Sequence, residues 1–287
     1  MTQINITLQG LRSILSTDLE LINHIADLVN AEKVTPLNPQ AVRLENVHCD
    51  KDLKAHIEAK CLAAQLDITL SPSRKISDFK LVAMDMDSTL ITIECIDEIA
   101  DMQGLKPQVS EITEAAMRGE LEFKESLTRR VALLKGLDAS ALQKVYDERL
   151  QLSLGAEAML AAIKQSGMKT LLVSGGFTFF TDHMKARLGL DYAHSNVLEI
   201  ENGKLTGKVV GGIVDADEKQ ATVERVCAEM GISPKQAIVM GDGANDLKMM
   251  SIAGLSVAFR AKPVVRAQAD VALNFVGLDG VLNLFSE

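Results

Sequence analysis

Four short runs in the chain are almost wholly apolar: FKLVAM (79–84), MKTLLV (168–173), QAIVM (236–240) and LSVAF (255–259). Each gives way to small or polar residues, DMDST, SGG, GDGAND and RAKP in turn, and helical patterns separate them. Strands covered on both faces read this way, because crossover helices shield each side of a parallel sheet. The pattern predicts an α/β fold built on a Rossmann-like parallel sheet. Ligands of such sheets bind beyond the carboxyl ends of the strands, so the four polar tails are expected at one crevice.

More than 80 residues separate the first run from the second, with helical periodicity over 94–103, 108–117, 121–135, 139–150 and 156–166. A crossover needs one helix, so residues 93–152 are expected to form a helical cap inserted over the crevice. Asn202-Gly203, between VLEIE and KLTGKVV, predicts a β-hairpin. Before residue 77 the pattern changes. Residues 3–9 alternate as a strand, and 18–31 set Leu19, Ile22, Ile25, Ala26 and Val29 on one helical face. A strand at 41–47, a helix at 51–66 and a strand at 67–70 follow, and SPSRKISD (71–78) has linker composition. Two units are expected: a small N-terminal α/β domain over 1–76 and a larger domain over 77–287, the second folding on its own.

Composition narrows the partners. Of 287 residues, 47% are hydrophobic and 24% charged; the net charge of −9 divides into −1 over 1–76 and −8 over the remainder. No basic stripe is present to meet nucleic acid or an acidic membrane. No apolar run approaches the ~18 residues of a membrane span, and the N-terminus lacks the pattern of a signal peptide. A cytoplasmic protein is expected. Cys49, Cys61, Cys95 and Cys227 form no CxxC pair and the histidines no zinc spacing, so these thiols read as reduced and structural.

The chemistry concentrates in LVAMDMDSTL (81–90), where Asp85 and Asp87 close a buried strand. Two neighbouring carboxylates repel one another and resist desolvation. An EF-hand loop would need glycine where Leu90 stands, after a helix. Helix capping explains one aspartate, not both. A metal or phosphate sensor would use the pair without turnover. An aspartyl nucleophile with a partner acid uses both, since a carboxylate can attack phosphorus and split one displacement into two, while a divalent cation neutralises the cluster. The other strand ends supply the remainder: Asp242 with Asp85 as hard oxygen ligands for Mg2+, Ser174-Gly175-Gly176 as a phosphate cradle, and Lys219 as a point charge on a phosphate oxygen.

DMDST, SGG, a downstream lysine and GDGAND together resemble the haloacid dehalogenase (HAD) superfamily of phosphohydrolases. Glu94, AAMRGELEFKESLTRRVALLKG (115–136) and AFRAKP (258–263) are similar to the phosphoserine phosphatase family within it. The resemblance covers about 79–287. It implies Mg-dependent hydrolysis of O-phospho-L-serine to L-serine and phosphate, the last step of serine biosynthesis. It implies Asp85 as nucleophile and Asp87 as general acid/base. Mg2+ would be held by the Asp85 side chain, the Asp87 backbone carbonyl and Asp242, with Asp246 supporting the metal or Lys219. Ser174, Gly175, Lys219 and Asn245 would meet the phosphate. Glu94 would face the substrate ammonium and Arg130, rather than the adjacent Arg129, its carboxylate. Met117 and Phe123 would close over the site. Arg260 within AFRAKP has no assigned part. The N-terminal unit loosely resembles the ACT-like domains that regulate or pair subunits, which leaves a homodimer open. A serine or phosphate sensor remains the reading from another class.

Overall fold

The computed structural model describes residues 4–117, without the Met117 side chain, and 120–286. In the first unit, β1 (Ile4–Gln9) turns Ile6 and Leu8 into an apolar core and leaves Thr7 and Gln9 on its other face. The short α1 (Ile14–Thr17) leads into α2 (Leu19–Leu28), which buries Ile22, Ile25 and Ala26 in the same core. Leu19, expected on that face, is exposed at the first turn of the helix. Next come β2 (Lys33–Asn38), β3 (Ala41–Glu45), α3 (Lys51–Ala63) and β4 (Asp67–Pro72). Asp50 caps α3 by accepting from the Leu53 N–H. The sheet is antiparallel in the order β2-β3-β1-β4, a ferredoxin-like arrangement. β2 is the strand that the sequence pattern does not announce. It is exposed or half-exposed along its length and contains Pro36, a residue tolerated on an edge strand such as this one.

β5 (Arg74–Lys75) opens the connection to the second unit. There β6 (Leu81–Met84), β7 (Lys169–Phe177), β8 (Tyr192–Glu201), β9 (Lys204–Val210), β10 (Ala237–Gly241), β11 (Leu255–Phe259) and β12 (Val271–Leu273) form one sheet in the order β12-β11-β10-β6-β7-β8-β9. All neighbours are parallel except β8 and β9, the hairpin closed at Asn202-Gly203. The four apolar runs are the four central strands. Alternation along β6 explains why it has no polar position: Val82 and Met84 enter one apolar cluster, and Leu81 and Ala83 enter another on the opposite face. α8 (Ala156–Gln165) and α9 (Thr178–Leu188) cover the first face; α10 (Ala216–Glu229), α11 (Leu247–Ile252) and α12 (Pro263–Arg266) cover the second.

The expected helical insertion consists of α4 (Cys95–Asp101), α5 (Lys106–Met117), α6 (Phe123–Leu133) and α7 (Ser140–Glu148). It leans on the hairpin: the Gly136 N–H donates to the Leu205 carbonyl, and the Ala139 N–H to that of Gly203. No described helix is long and apolar enough to cross a membrane.

The two units share polar contacts that no linker signal foretells. The chain ends in a 3-10 segment at 278–284 and β13 (Phe285–Ser286), which pairs with β5. Arg43 donates to the carbonyls of Asn283 and Phe285 at 2.8 and 2.7 Å. Buried Asp67 accepts from the backbone N–H groups of Asn274, Phe275 and Val276 at 2.7–2.9 Å. Burial pushes the Asp67 carboxyl up, and those three donors work against the shift. Removing residues 1–76 would take the Asp67 acceptor from these three N–H groups and expose them to water. Asp67→Ala is expected to cost roughly 2–3 kcal/mol, the scale of lost charge-assisted bonds, read as a lower urea midpoint with unchanged slope.

Candidate active site

The end of β6 sets the geometry. The Asp85 N–H continues the ladder to the Met240 carbonyl of β10 at 3.0 Å, and the chain then leaves the sheet. Two hydrogen bonds spanning five residues, Leu90 N–H to Asp85 and Ile91 N–H to Met86, close a tight loop over 85–91. Ser88 takes a left-handed conformation in it (φ +57°), sparsely populated by residues with a side chain. Its hydroxyl donates to Glu94 Oε1 at 2.6 Å, which ties the loop to the first residue before α4. Nothing in the sequence pattern singles out Ser88 for this contact.

Asp85 is buried and lies 2.7 Å from Lys219 Nζ; the same ammonium is 2.7 Å from Asp246 Oδ1. Lys219 enters from the first turn of α10, whose N-cap Asp215 accepts from the Glu218 N–H. Burial alone would lower the Lys219 ammonium, yet Asp246 and Asp85 hold it above its ordinary value. Asp246 is saturated in another way: its Oδ2 accepts from the N–H groups of Asp242 and Gly243 at 3.1 and 3.0 Å. A Cβ on Gly241 would collide with that carboxylate. Asp246 thus serves as a brace for Lys219 and for the turn bearing Asp242. Asn245 lies half-buried on that turn, its side-chain oxygen where a Cβ on Gly243 would go. AFRAKP contributes through backbone, since the Lys262 N–H donates to the Asp242 carbonyl. Arg260 stacks over Phe259 at 5.3 Å and is exposed on the surface, so it joins the fold rather than this cluster.

Asp85, Asp242 and Asp246 each offer an oxygen within 4.8 Å of the others. An all-carboxylate donor set suits a hard divalent cation. The charge balance points the same way. Burial first, then Asp246, raise Asp85 well above the carboxylate range, and burial with Asp246 and Glu94 pushes Asp242 up to about 7. Three clustered acids against one buried lysine leave an excess of negative charge that a cation relieves.

Asp87 follows on the same loop. Burial, with Glu94 nearby, pushes its carboxyl up to about 8, and Oδ1 is buried without a hydrogen-bond partner. Facing it, Ser174-Gly175-Gly176 ends β7. Ser174 is fully buried and its hydroxyl accepts from the Gly176 N–H at 2.8 Å. A Cβ on Gly176 would stand 3.2 Å from Asp87 Oδ2 and 3.0 Å from Ser174 Oγ, so the bare backbone is what leaves room here.

The cap closes the crevice from above. The Phe123 ring reaches to 3.2 Å from a Cβ built on Gly175, and Lys124 pairs with Asp215 at 2.9 Å. Arg130, one face further along α6, is half-buried in the field of Asp97, Glu94 and Asp87, and its Nε has no partner. Arg129 points outward and pairs with Glu125. Glu94 is open to solvent at the mouth. The Met117 side chain lies outside the described residues. Every other residue singled out from sequence except Arg260 converges here: Asp85, Asp87, Glu94, Phe123, Arg130, Ser174, Gly175, Lys219, Asp242, Asn245 and Asp246.

Comparison with known proteins agrees with this geometry. Residues 79–254 match the family model of haloacid dehalogenase-like hydrolases. A phosphoserine phosphatase of Polaromonas sp. is 58% identical over 219 residues, 75% of this chain and 93% of its own. The solved structure of a probable phosphoserine phosphatase from Vibrio cholerae shares 36% identity with a TM-score of 0.81, covering 98% of this chain and 85% of that one. A structure of a phospho-aspartyl intermediate analogue of phosphoserine phosphatase shares 39% identity with a TM-score of 0.69, over 72% and 99% of the two chains.

Proposed function

The chain belongs to the haloacid dehalogenase-like hydrolases and is a phosphatase, and on that premise we propose that it hydrolyses O-phospho-L-serine to L-serine and phosphate through an aspartyl-phosphate on Asp85. The observation that carries the substrate assignment is the pair Glu94 and Arg130, opposite charges in the field of Asp87 at the mouth of the crevice. A phosphoserine presents an ammonium and a carboxylate to match them. The 58%-identical relative supports the same substrate. Such a reaction would stand as the last step of serine biosynthesis in the cytoplasm.

Asp85 supplies an oxygen lone pair to phosphorus, and the bond from phosphorus to the serine oxygen breaks. Asp87 gives that oxygen its proton; a carboxyl lifted to about 8 by burial carries one at neutral pH. The resulting Asp87 carboxylate takes a proton from water, whose oxygen attacks the phosphorus and frees Asp85. Lys219 holds Asp85 in place from 2.7 Å and offers the same ammonium to a phosphoryl oxygen. The Gly175 and Gly176 backbone and Ser174 form the cradle opposite, and Asn245 borders it. Asp85 and Asp242, with the Asp87 carbonyl and with Asp246 bracing, would hold Mg2+, which neutralises charge on the cluster and on the phosphate when bound. Phe123 belongs to the cover that excludes water.

We also read residues 1–76 as a separate ACT-like unit and 77–287 as the catalytic unit with its cap at about 93–152. Separate sheets and a separate apolar core support that division.

Arg130→Ala tests the substrate assignment. A charge-assisted bond contributes about 1.5–3 kcal/mol, so kcat/KM for phosphoserine should fall roughly 10–100-fold. The fall should be much smaller for p-nitrophenyl phosphate, which has no carboxylate, and Arg130→Lys should recover only part, because lysine cannot form the bidentate grip. Equal losses on both substrates would move Arg130 to cap folding and remove the ground for phosphoserine.

A further inference from the structure

Beside the groups assigned above stands a buried amide that the sequence pattern does not single out. β7 and β8 pair as Val173 with His194, and next as Phe177 with Asn196, so four steps on β7 oppose two on β8. Between those pairs Ser174-Gly175-Gly176, the proposed phosphate cradle, stand against the single Ser195 and bulge out of the ladder. A bulge releases backbone groups from their ladder partners, and buried ones must find others. The Gly176 N–H finds Ser174 Oγ. The Gly175 carbonyl finds the Asn196 side chain, whose Nδ2 donates to it at 2.7 Å. The other end of the same amide is used as well: Asn196 Oδ1 accepts from the Val214 N–H at 2.8 Å. Val214 immediately precedes Asp215, the N-cap of the helix that carries Lys219. Asn196 is 1% exposed, so water cannot substitute for either bond. A Cβ on Gly175 would lie 3.6 Å from the Val214 carbonyl, so the two backbone segments are already in contact.

We propose that Asn196 is a positioning residue of the phosphatase site: its amide fixes the shape of the 174–176 bulge and sets that bulge against the segment that introduces Lys219. The inference rests on the phosphatase reading of the site. It assigns Asn196 to the phosphoryl end of the substrate, which all phosphate esters share, and not to the serine end. A buried amide that merely satisfied the core would affect stability alone.

Asn196→Asp keeps the acceptor for Val214 but sets an oxygen against the Gly175 carbonyl; Asn196→Ala removes both bonds. Each variant is assayed at 25 °C after circular dichroism establishes that it is folded. Inhibition by inorganic phosphate and kcat/KM for phosphoserine and p-nitrophenyl phosphate should all weaken by a similar factor, roughly 10–100-fold for one or two lost bonds with an orphaned partner. The ratio of the two substrate activities should stay at the wild-type value, unlike that of Arg130→Ala. Folded variants whose phosphate inhibition lies within twofold of wild type would overturn the assignment. In the wild-type chain, saturating inorganic phosphate should shift the NMR signals of the Asn196 side-chain NH2, and unshifted signals would overturn it without recourse to a variant. A wild type that hydrolyses p-nitrophenyl phosphate but not phosphoserine would sink the substrate assignment alone, and the Asn196 comparison would still be read on the ester it cleaves.

Discussion

Asp85→Asn is expected to abolish phosphate release from phosphoserine, by about 10⁴-fold or more, the scale seen when a nucleophile is removed. An amide has no charged oxygen to form the bond to phosphorus. The same substitution should leave the fold intact or strengthen it. In the folded chain without metal, burial and Asp246 hold the Asp85 carboxyl well above its ordinary value. A carboxyl whose folded pKa is raised favours the fold at low pH and loses that contribution as pH rises toward neutrality. The neutral amide is free of that penalty, and three acids against Lys219 become two. A thermal scan at pH 7 without divalent cation should therefore place the variant at or above wild type, while adding Mg2+ should raise wild type more than the variant. An inactive variant with a lowered midpoint would show that Asp85 holds the fold, and its role as nucleophile would then need separate proof.

Asp87→Asn should slow phosphoserine turnover by roughly 10²–10⁴-fold, the usual contribution of a positioned acid or base. The loss should depend on the leaving group. Serine leaves as an alkoxide unless it is protonated, whereas p-nitrophenolate leaves without help, so phosphorylation of the enzyme by p-nitrophenyl phosphate should suffer least. Hydrolysis of the phosphoenzyme still needs a base, so phosphoenzyme should accumulate in the variant with that substrate. Burst kinetics reads this directly: a rapid release of p-nitrophenol followed by a slow steady state. Equal slowing of both phases on both substrates would take Asp87 out of proton transfer.

The sequence carried the sheet and the acids well, because both are local signals. FKLVAM, MKTLLV, QAIVM and LSVAF read as strands buried on both faces, and their polar tails had one topological place to meet. The insertion was legible as an excess of helix between two strands. What escaped was set by partners distant in the chain. β2 hides behind Pro36 and exposed positions, and its existence depends on β3. β12 is three residues long and gains its strand character from β11. Asp67 looks like one acid in a linker-proximal strand until residues 274–276 fold against it. Ser88 needed the loop to turn left-handed before its hydroxyl met Glu94. Asn196 sits in an ordinary strand pattern, and only the bulge opposite gives its amide a task. Asp246 changed weight rather than place. Its motif suggests support of the metal or of Lys219, and three donors on its two oxygens make it first a brace.

The central claim is that phosphate passes from phosphoserine to Asp85. Rapid acid quench of the wild-type chain with phosphoserine labelled at phosphorus, followed by peptide mapping at low pH, reads that transfer directly. The expected result is an acid-stable, hydroxylamine-sensitive label that forms within one turnover, maps to Asp85 and is absent from Asp85→Asn. Turnover without any labelled protein, or label carried by a serine, would contradict it.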